Sequence, residues 1–410
     1  MGRAQRPSIW ALLHHRNPRL VLLGQSISSL GDGIATVAFT LLVIDTTHSV
    51  TRLGWFAAAR LIPLVIFLLV GGAVVDRFSR RTLMLLSDLG RVVLTALVTG
   101  ALIAHVLTFN EILAVGFLFG AFDAVFMPAF SALVPEITPP ELLNAMNAAR
   151  PIALNLMGFA IGPAIGGIIV SVSTTWAIGA DCVTFLFSTV MLAQVRGLTA
   201  PLRATTTSVR HDIREGLRYC RETPWLWWTL LGVILTNGLV GSPLPVLLSF
   251  YLRHTLHSSS DAVGNAYALF GCAGALGALL ASGLRTPRRR VRWMWGIWGV
   301  ATLSATTFLF AHNFASAMIF PMVAAPLWFV GDIIWNGLLQ TEVPRSLLGR
   351  VSSIDALISF GLNPVGILVA TWLSAMLGVQ RYFLIMGLVT VLPSIVILSS
   401  RRVNAVDEGR

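Results

Sequence analysis

Twelve apolar runs follow one another through this chain, at about 19–45, 52–75, 82–104, 111–133, 145–172, 175–194, 225–252, 261–284, 291–311, 315–340, 351–377 and 380–399. About 20 apolar residues in a helix cross the hydrocarbon core of a bilayer, so each run is long enough to span it. Only 11% of the 410 residues are charged, against about 25% in a soluble domain. The expected fold is therefore an all-α membrane protein of twelve transmembrane helices. The first run continues from Leu20 to Ile44 without a cleavage site, too long for the apolar core of a signal peptide, and is expected to be a span.

The net charge is +11, and every basic residue is Arg. With the N-terminus inside, 24 of the 29 Arg fall in cytoplasmic segments, three in outer loops (Arg52, Arg253, Arg381) and two within helices (Arg60, Arg91). This is the positive-inside distribution, which places both termini in the cytoplasm of a multi-pass protein of the inner cell membrane. The basic excess is a topology signal with the lipid bilayer as its partner, not a nucleic-acid footprint. Without Lys the chain has no phosphate-binding P-loop, and no dinucleotide, zinc-protease or nucleophile-elbow motif occurs in it. No enzyme activity, cofactor or metal is expected. Cys182, Cys220 and Cys272 have no disulfide or metal spacing.

The longest polar stretch, about Val195–Pro224, divides the runs six and six. The expected organisation is an N-terminal six-helix bundle over 1–195, a cytoplasmic linker over 196–224, a C-terminal bundle over 225–400 and a cytoplasmic tail over 401–410. Within the linker, Ser208–Thr223 alternates charges at helical spacing and is expected to be an amphipathic surface helix. Two tryptophan groups, Trp225, Trp227, Trp228 and Trp293, Trp295, Trp298, start runs at the inner interface, where indoles anchor. The halves repeat at an offset near 209: Asp123 falls on Asp332, Val134-Pro135 on Val343-Pro344, and His48-Ser49 on His257-Ser258. Parallel repeats with a site at mid-membrane between them describe a rocking, alternating-access carrier.

Gly72 stands four residues before Asp76-Arg77, and Arg80-Arg81 follow after a short gap. This resembles the signature loop of the major facilitator superfamily, with Ser79 in place of the usual Gly. The resemblance implies that Gly72, Asp76, Arg77, Arg80 and Arg81 form a latch holding the two halves in the outward-facing state. The fifth run carries Gly158, Gly162-Pro163 and Gly166-Gly167, matching the G-x-x-x-G-P-x-x-G-G motif of antiporters in that superfamily. Gly at every fourth position leaves a smooth face for close approach of another helix, and Pro163 removes a backbone donor and bends the helix. A kinked, closely packed helix of this kind seals one side of a cavity against leak. Further stretches, Ser87–Arg91, Pro128–Pro135, Glu141–Ala148 and Glu215–Tyr219, resemble the drug/proton antiporter branch that includes macrolide-efflux and siderophore-export carriers. One departure stands out: many antiporters of that superfamily have an Arg in the fourth helix, whereas the nearest intramembrane charge on that helix here is Asp123.

Intramembrane charge is costly and marks function. Asp32, Asp123 and Asp332 fall in the first, fourth and tenth runs, and in a major-facilitator arrangement these line the central cavity. The seventh contributes Asn237. Asp32 and Asp123 are candidates to carry coupling protons or bind a cationic substrate. The competing reading makes each Asp structural, with Asp123 and Asp332 holding the following Val-Pro loops. Arg91 lies three residues after Asp88 and shares its helix face, which suggests a structural pair joined by Asp76 or Asp123. Arg60 is placed to meet Asp32 or Asp45. Asp181 and Asp355, near run ends, read as interfacial or capping groups.

The resemblance implies a monomeric secondary transporter that exports small amphipathic or hydrophobic compounds by proton antiport. A siderophore or lipid-like substrate is the alternative within transport. A membrane sensor that keeps the carrier fold without transport is the alternative from another class.

Overall fold

The computed structural model describes residues 9–75, 79–196, 209–283, 287–400, 403 and 407. Among them every regular element is helical. In chain order these are α1 (Ile9–His14), α2 (Arg16–Thr47), α3 (Val50–Val75), α4 (Arg80–Ile103), α5 (Phe109–Ile137), α6 (Leu143–Asn155), α7 (Gly162–Val172), α8 (Thr174–Ala193), α9 (Val209–Glu222), α10 (Pro224–Thr236), α11 (Leu244–Phe250), α12 (Ser260–Gly283), α13 (Arg290–Leu303), α14 (Phe314–Glu342), α15 (Arg345–Gly361), α16 (Asn363–Leu377) and α17 (Val379–Ser399).

These make twelve spans. A π segment, Leu156–Ile161, joins α6 to α7, and another, Asn237–Gly241, interrupts the span that begins with α10. Helices α15 and α16 follow end to end. Among the described residues, ten spans are long and apolar enough to cross a bilayer as single helices. The 26 residues of α3, and α13 with its 3₁₀ continuation Ser304–Phe310, complete the twelve. The expected amphipathic segment is α9, between the sixth and seventh spans.

Local chemistry sets the helix ends. Thr108 and Glu111 form a capping box at the start of α5, and Asn313 and Ser316 form one at the start of α14, so the two halves repeat even in their caps. Each box satisfies two otherwise orphaned backbone donors. Ser79, the departure in the signature loop, caps α4 by accepting from the Thr82 amide at 3.4 Å. The Val-Pro pairs are not equivalent: Val134 and Pro135 lie inside α5, whereas Val343 and Pro344 separate α14 from α15.

The chain forms two compact units. The first comprises residues 1–46, 59–204 and 259–268, the second 47–58, 205–258 and 269–410. A cluster of Leu83, Met84, Phe130, Leu133 and Met146 forms a core in the first unit. In the second, Trp225, Trp295, Trp298 and Trp335 pack with Leu226 and Leu338. The tryptophan groups are therefore not uniformly interfacial anchors. Trp228 and Trp293 are exposed, but Trp225, Trp295 and Trp298 are buried. Successive indoles on a helix point in different directions, and Trp295 is drawn inward by donating to the Thr229 hydroxyl at 3.2 Å.

Candidate functional site

The first unit holds a charged cluster built from five helices. Asp88 and Arg91, one turn apart on α4, are in contact at 3.2 Å. Arg91 also reaches Asp123 of α5 at 2.7 Å. The other Asp88 oxygen accepts from the Ser188 hydroxyl of α8 at 2.7 Å, and the Ser188 oxygen accepts from the Gln25 amide of α2 at 2.8 Å. The Arg91 guanidinium also lies over the rings of Phe126 and Phe185, 4.7 and 5.3 Å from their centroids. Asp88 and Arg91 are buried, so here a salt bridge, hydrogen bonds and aromatic faces replace water around both charges.

Arg60 of α3 stands between Asp32 and Asp123, 3.9 Å from one carboxylate and 3.8 Å from the other. These contacts are longer than hydrogen bonds. The side chains of Asp32 and Asp123 keep 35% and 30% exposure, unlike buried Asp88. The cluster thus has a fixed end at Asp88–Arg91 and an accessible end at Asp32–Arg60–Asp123.

Asp181 of α8 completes the group. It is fully buried, not interfacial. One of its oxygens accepts weakly from Thr184 at 3.3 Å, while the other has no hydrogen-bond partner among the described residues. A Cβ on Gly31, the residue before Asp32, would lie 2.5 Å from Asp181 Oδ1. Glycine at 31 therefore lets α8 bring its carboxylate up to α2. Gly120 plays a similar part, since a Cβ there would sit 1.9 Å from the Arg60 carbonyl oxygen. Three carboxylates, Asp32, Asp88 and Asp123, thus share two guanidinium groups, and Asp181 stands beside them without an ion pair among the described residues.

The glycines of the fifth span face α2. Cβ atoms on Gly162 and Gly166 would approach Gly33 Cα and Ile34 Cα at 2.9 Å. Gly167 faces the start of α12 instead, with Asp261 Cα at 2.9 Å and Gly264 Cα at 3.0 Å from its Cβ position. Gly158 is looser, 3.4 Å from the Ser29 carbonyl oxygen. The π segment ends immediately before Gly162-Pro163, consistent with a proline that cannot donate to the preceding turn.

Of the signature loop, Gly72 lies within α3, and Asp76 and Arg77 lie outside the described residues. Arg80 forms an ion pair with Glu136 at the end of α5. Arg81 donates to the Leu192 carbonyl at 3.0 Å and to the Ala193 carbonyl, at the negative end of the α8 dipole.

In the second unit, Asp332 is exposed on α14, and its backbone carbonyl accepts from Asn336. The Asp123 carboxylate is engaged by Arg60 and Arg91 rather than by its Val-Pro pair. Asn237 donates to the Ser359 carbonyl at 2.6 Å and to Asn363 Oδ1 at 3.2 Å, a tie between helices. Asp355 accepts from the Trp335 indole at 3.1 Å and from Ser359 at 3.3 Å, so it is an internal acceptor rather than a cap.

The cluster belongs to one half alone. Positions 209 residues after Asp32, Arg60, Asp88 and Arg91 hold Gly241, Leu269, Ile297 and Val300. Asp181, Ser188 and Gln25 were not singled out as site residues by sequence. Gln25 and Ser188 are uncharged and carry no signal of their own; Asp181 had one, since it stands eight residues into its helix.

The segment from 21 to 362 matches the family model described as Major Facilitator Superfamily. The chain belongs to this superfamily. It is a membrane carrier for small molecules, not an enzyme. Among relatives of this superfamily member, a protein named multidrug efflux pump Tap from Mycolicibacterium fortuitum is 29% identical over 96% of this chain and 98% of its own. One named enterobactin exporter EntS from Citrobacter koseri is 23% identical over 82% of this chain and 80% of its own. Among solved structures, a bacterial homologue of the iron transporter ferroportin in an inward-facing state aligns with a TM-score of 0.72 at 16% identity, covering 94% of this chain and 99% of that one. The nucleoside transporter NupG aligns with a TM-score of 0.66 at 14% identity, over 92% of this chain and 98% of that one. These last two likenesses establish the fold.

Proposed function

We propose that this carrier exports small amphipathic or hydrophobic, drug-like compounds by exchanging them for protons. It works as a monomer in the cytoplasmic membrane, with both termini inside. The observation that carries this reading is the accessible end of the charged cluster, where Asp32 and Asp123 compete for Arg60 at 3.9 and 3.8 Å. A proton on either carboxylate cancels its charge and leaves Arg60 to the other. A carboxylate that holds a proton or an organic cation, but not both, couples the two flows. Asp332, exposed on α14, is the corresponding group of the second half, and Asn237 keeps its span in register.

The relatives named multidrug efflux pump support drug-like cargo. The relative named enterobactin exporter raises an anionic siderophore as the second reading. Arg60 and Arg91 are the intramembrane cations, and both contact carboxylates, which favours cationic or neutral cargo. In the same reading, the loop from Gly72 through Asp76, Arg77, Arg80 and Arg81 latches the outward-facing state. The helix of Gly158, Gly162, Pro163, Gly166 and Gly167 limits leak.

A panel of drugs and siderophores in an efflux-deficient host, with and without an uncoupler, tests this. The chain should lower retention of some amphipathic compounds, and uncoupler, Asp32→Asn or Asp123→Asn should restore it. Unchanged retention of every compound rejects export. Proton-driven export that survives in both Asp→Asn variants rejects the coupling role of these carboxylates.

A further inference from the structure

Within the second unit, the outer face of α13 carries a groove of about 530 Å³ with a polar end and an apolar body. Arg289 and Arg292 stand at one end, and Trp293, Gly296, Val300 and Leu327 line the rest. From Arg289 to Val300 is eleven residues, about 16 Å along a helix, the reach of much of one acyl chain. A Cβ on Gly296 would meet nothing within 4 Å, so the missing side chain leaves an open channel rather than a packing contact. Trp293 and Val300 are 58% and 57% exposed on its walls.

Among the described residues, neither guanidinium group is used by the fold. Their neighbour Arg290 is, since it contacts Glu342 at 2.8 Å and Thr341 at 2.7 Å. The first amides of α13 are satisfied as well, with Val291 and Arg292 donating their backbone N–H to Asp407 at 3.0 and 3.2 Å. Among the described residues, the side chains of Arg289 and Arg292 make no ion pair, and the buried Arg292 Nε has no hydrogen-bond partner. A half-buried guanidinium with an unsatisfied donor calls for an acceptor, and arginine forks match phosphate oxygens well.

We propose that this groove binds one anionic phospholipid, with its phosphate between Arg289 and Arg292 and an acyl chain along Trp293, Gly296 and Val300. A free anion satisfies the arginines but leaves the apolar channel empty, and a zwitterionic lipid fills the channel but offers a phosphate already paired with its own cation, a weaker partner for two guanidinium groups. The proposal is independent of the export reading, because lipid retention is measured without transport.

Native mass spectrometry of the whole protein, from micelles holding equal amounts of phosphatidylglycerol and phosphatidylcholine, tests it. The protein should keep one phosphatidylglycerol at collision energies that strip phosphatidylcholine. Arg289→Gln and Arg292→Gln should each lower that preference about five-fold, the weight of one basic residue near an anionic lipid. Gly296→Leu puts a side chain into the channel at a position whose Cβ meets nothing within 4 Å and should reduce retention of both lipids, with an unchanged unfolding midpoint as the control. Equal retention of the two lipids by the wild type overturns the proposal, as does unchanged retention in all three variants. Displacement of the lipid by inorganic phosphate at the same concentration makes the site an anion site and overturns the acyl-chain part.

Discussion

Arg91 on α4 donates to Asp123 on α5 at 2.7 Å while it also holds Asp88 of its own helix. One buried cation thereby ties two spans together and neutralises the carboxylate that has no access to solvent.

Arg91→Leu strands Asp88 in an apolar interior. Removing one partner of a buried pair costs about 3–5 kcal/mol, so the variant should unfold at a markedly lower temperature in detergent. Arg91→Lys should recover little, because an ammonium cannot reach both carboxylates as a planar fork does. An unchanged midpoint for Arg91→Leu would remove the structural role given to this pair.

Gly120→Ala and Gly337→Ala should move stability in opposite directions. The added methyl at 120 would meet the Arg60 carbonyl, part of the backbone, and force α3 from α5. At 337 it meets nothing within 4 Å, and Ala is favoured over Gly in a helix by about 1 kcal/mol. Thermal unfolding of the two variants side by side measures the contrast.

Gly167→Ala crowds Asp261, Ser260 and Gly264 at the start of α12. The expected result is normal expression with a lower export rate in vesicles. A rate equal to wild type shows that the close approach at Gly167 is not needed in transport.

Cys220 on α9 is buried, and burial pushes its thiol up to about 11. At neutral pH it stays protonated, and the thiol form is a poor nucleophile. Maleimide at pH 7 should therefore leave Cys220 unmodified in the native protein and modify it after denaturation. Rapid native labelling would mean that α9 does not stay packed.

Much of the fold was legible because membrane spans are a local signal. The run at 82–104 became α4, Arg80–Ile103, and the run at 380–399 became α17, Val379–Ser399. The site was legible in part. Sequence paired Asp88 with Arg91, since three residues on a helix fix a shared face. It named Asp32 or Asp45 as the partner of Arg60; Arg60 meets Asp32 and also Asp123, which sequence missed because it lies two spans further along the chain. It misplaced Asp181, because nearness to a helix end says nothing about which neighbour covers it. It overestimated the Asp123–Asp332 symmetry, because equivalent positions acquired different neighbours: Arg91 on one side, Val300 at the equivalent of Arg91 on the other.

The sequence by itself determined the number of spans, their limits, the two related halves and the candidate charges. Those follow from how many apolar residues cross a bilayer and from what a charge costs inside it. Tertiary structure alone decided which carboxylate is fixed and which is accessible. Asp88 is sealed by Ser188, a hundred residues away, while Asp123 shares Arg91 and Arg60 and remains partly open. Those differences come from how closely α2, α3, α5 and α8 approach α4 and one another at glycines such as Gly31 and Gly120, and helix–helix approach is a property of packed neighbours that no single run encodes.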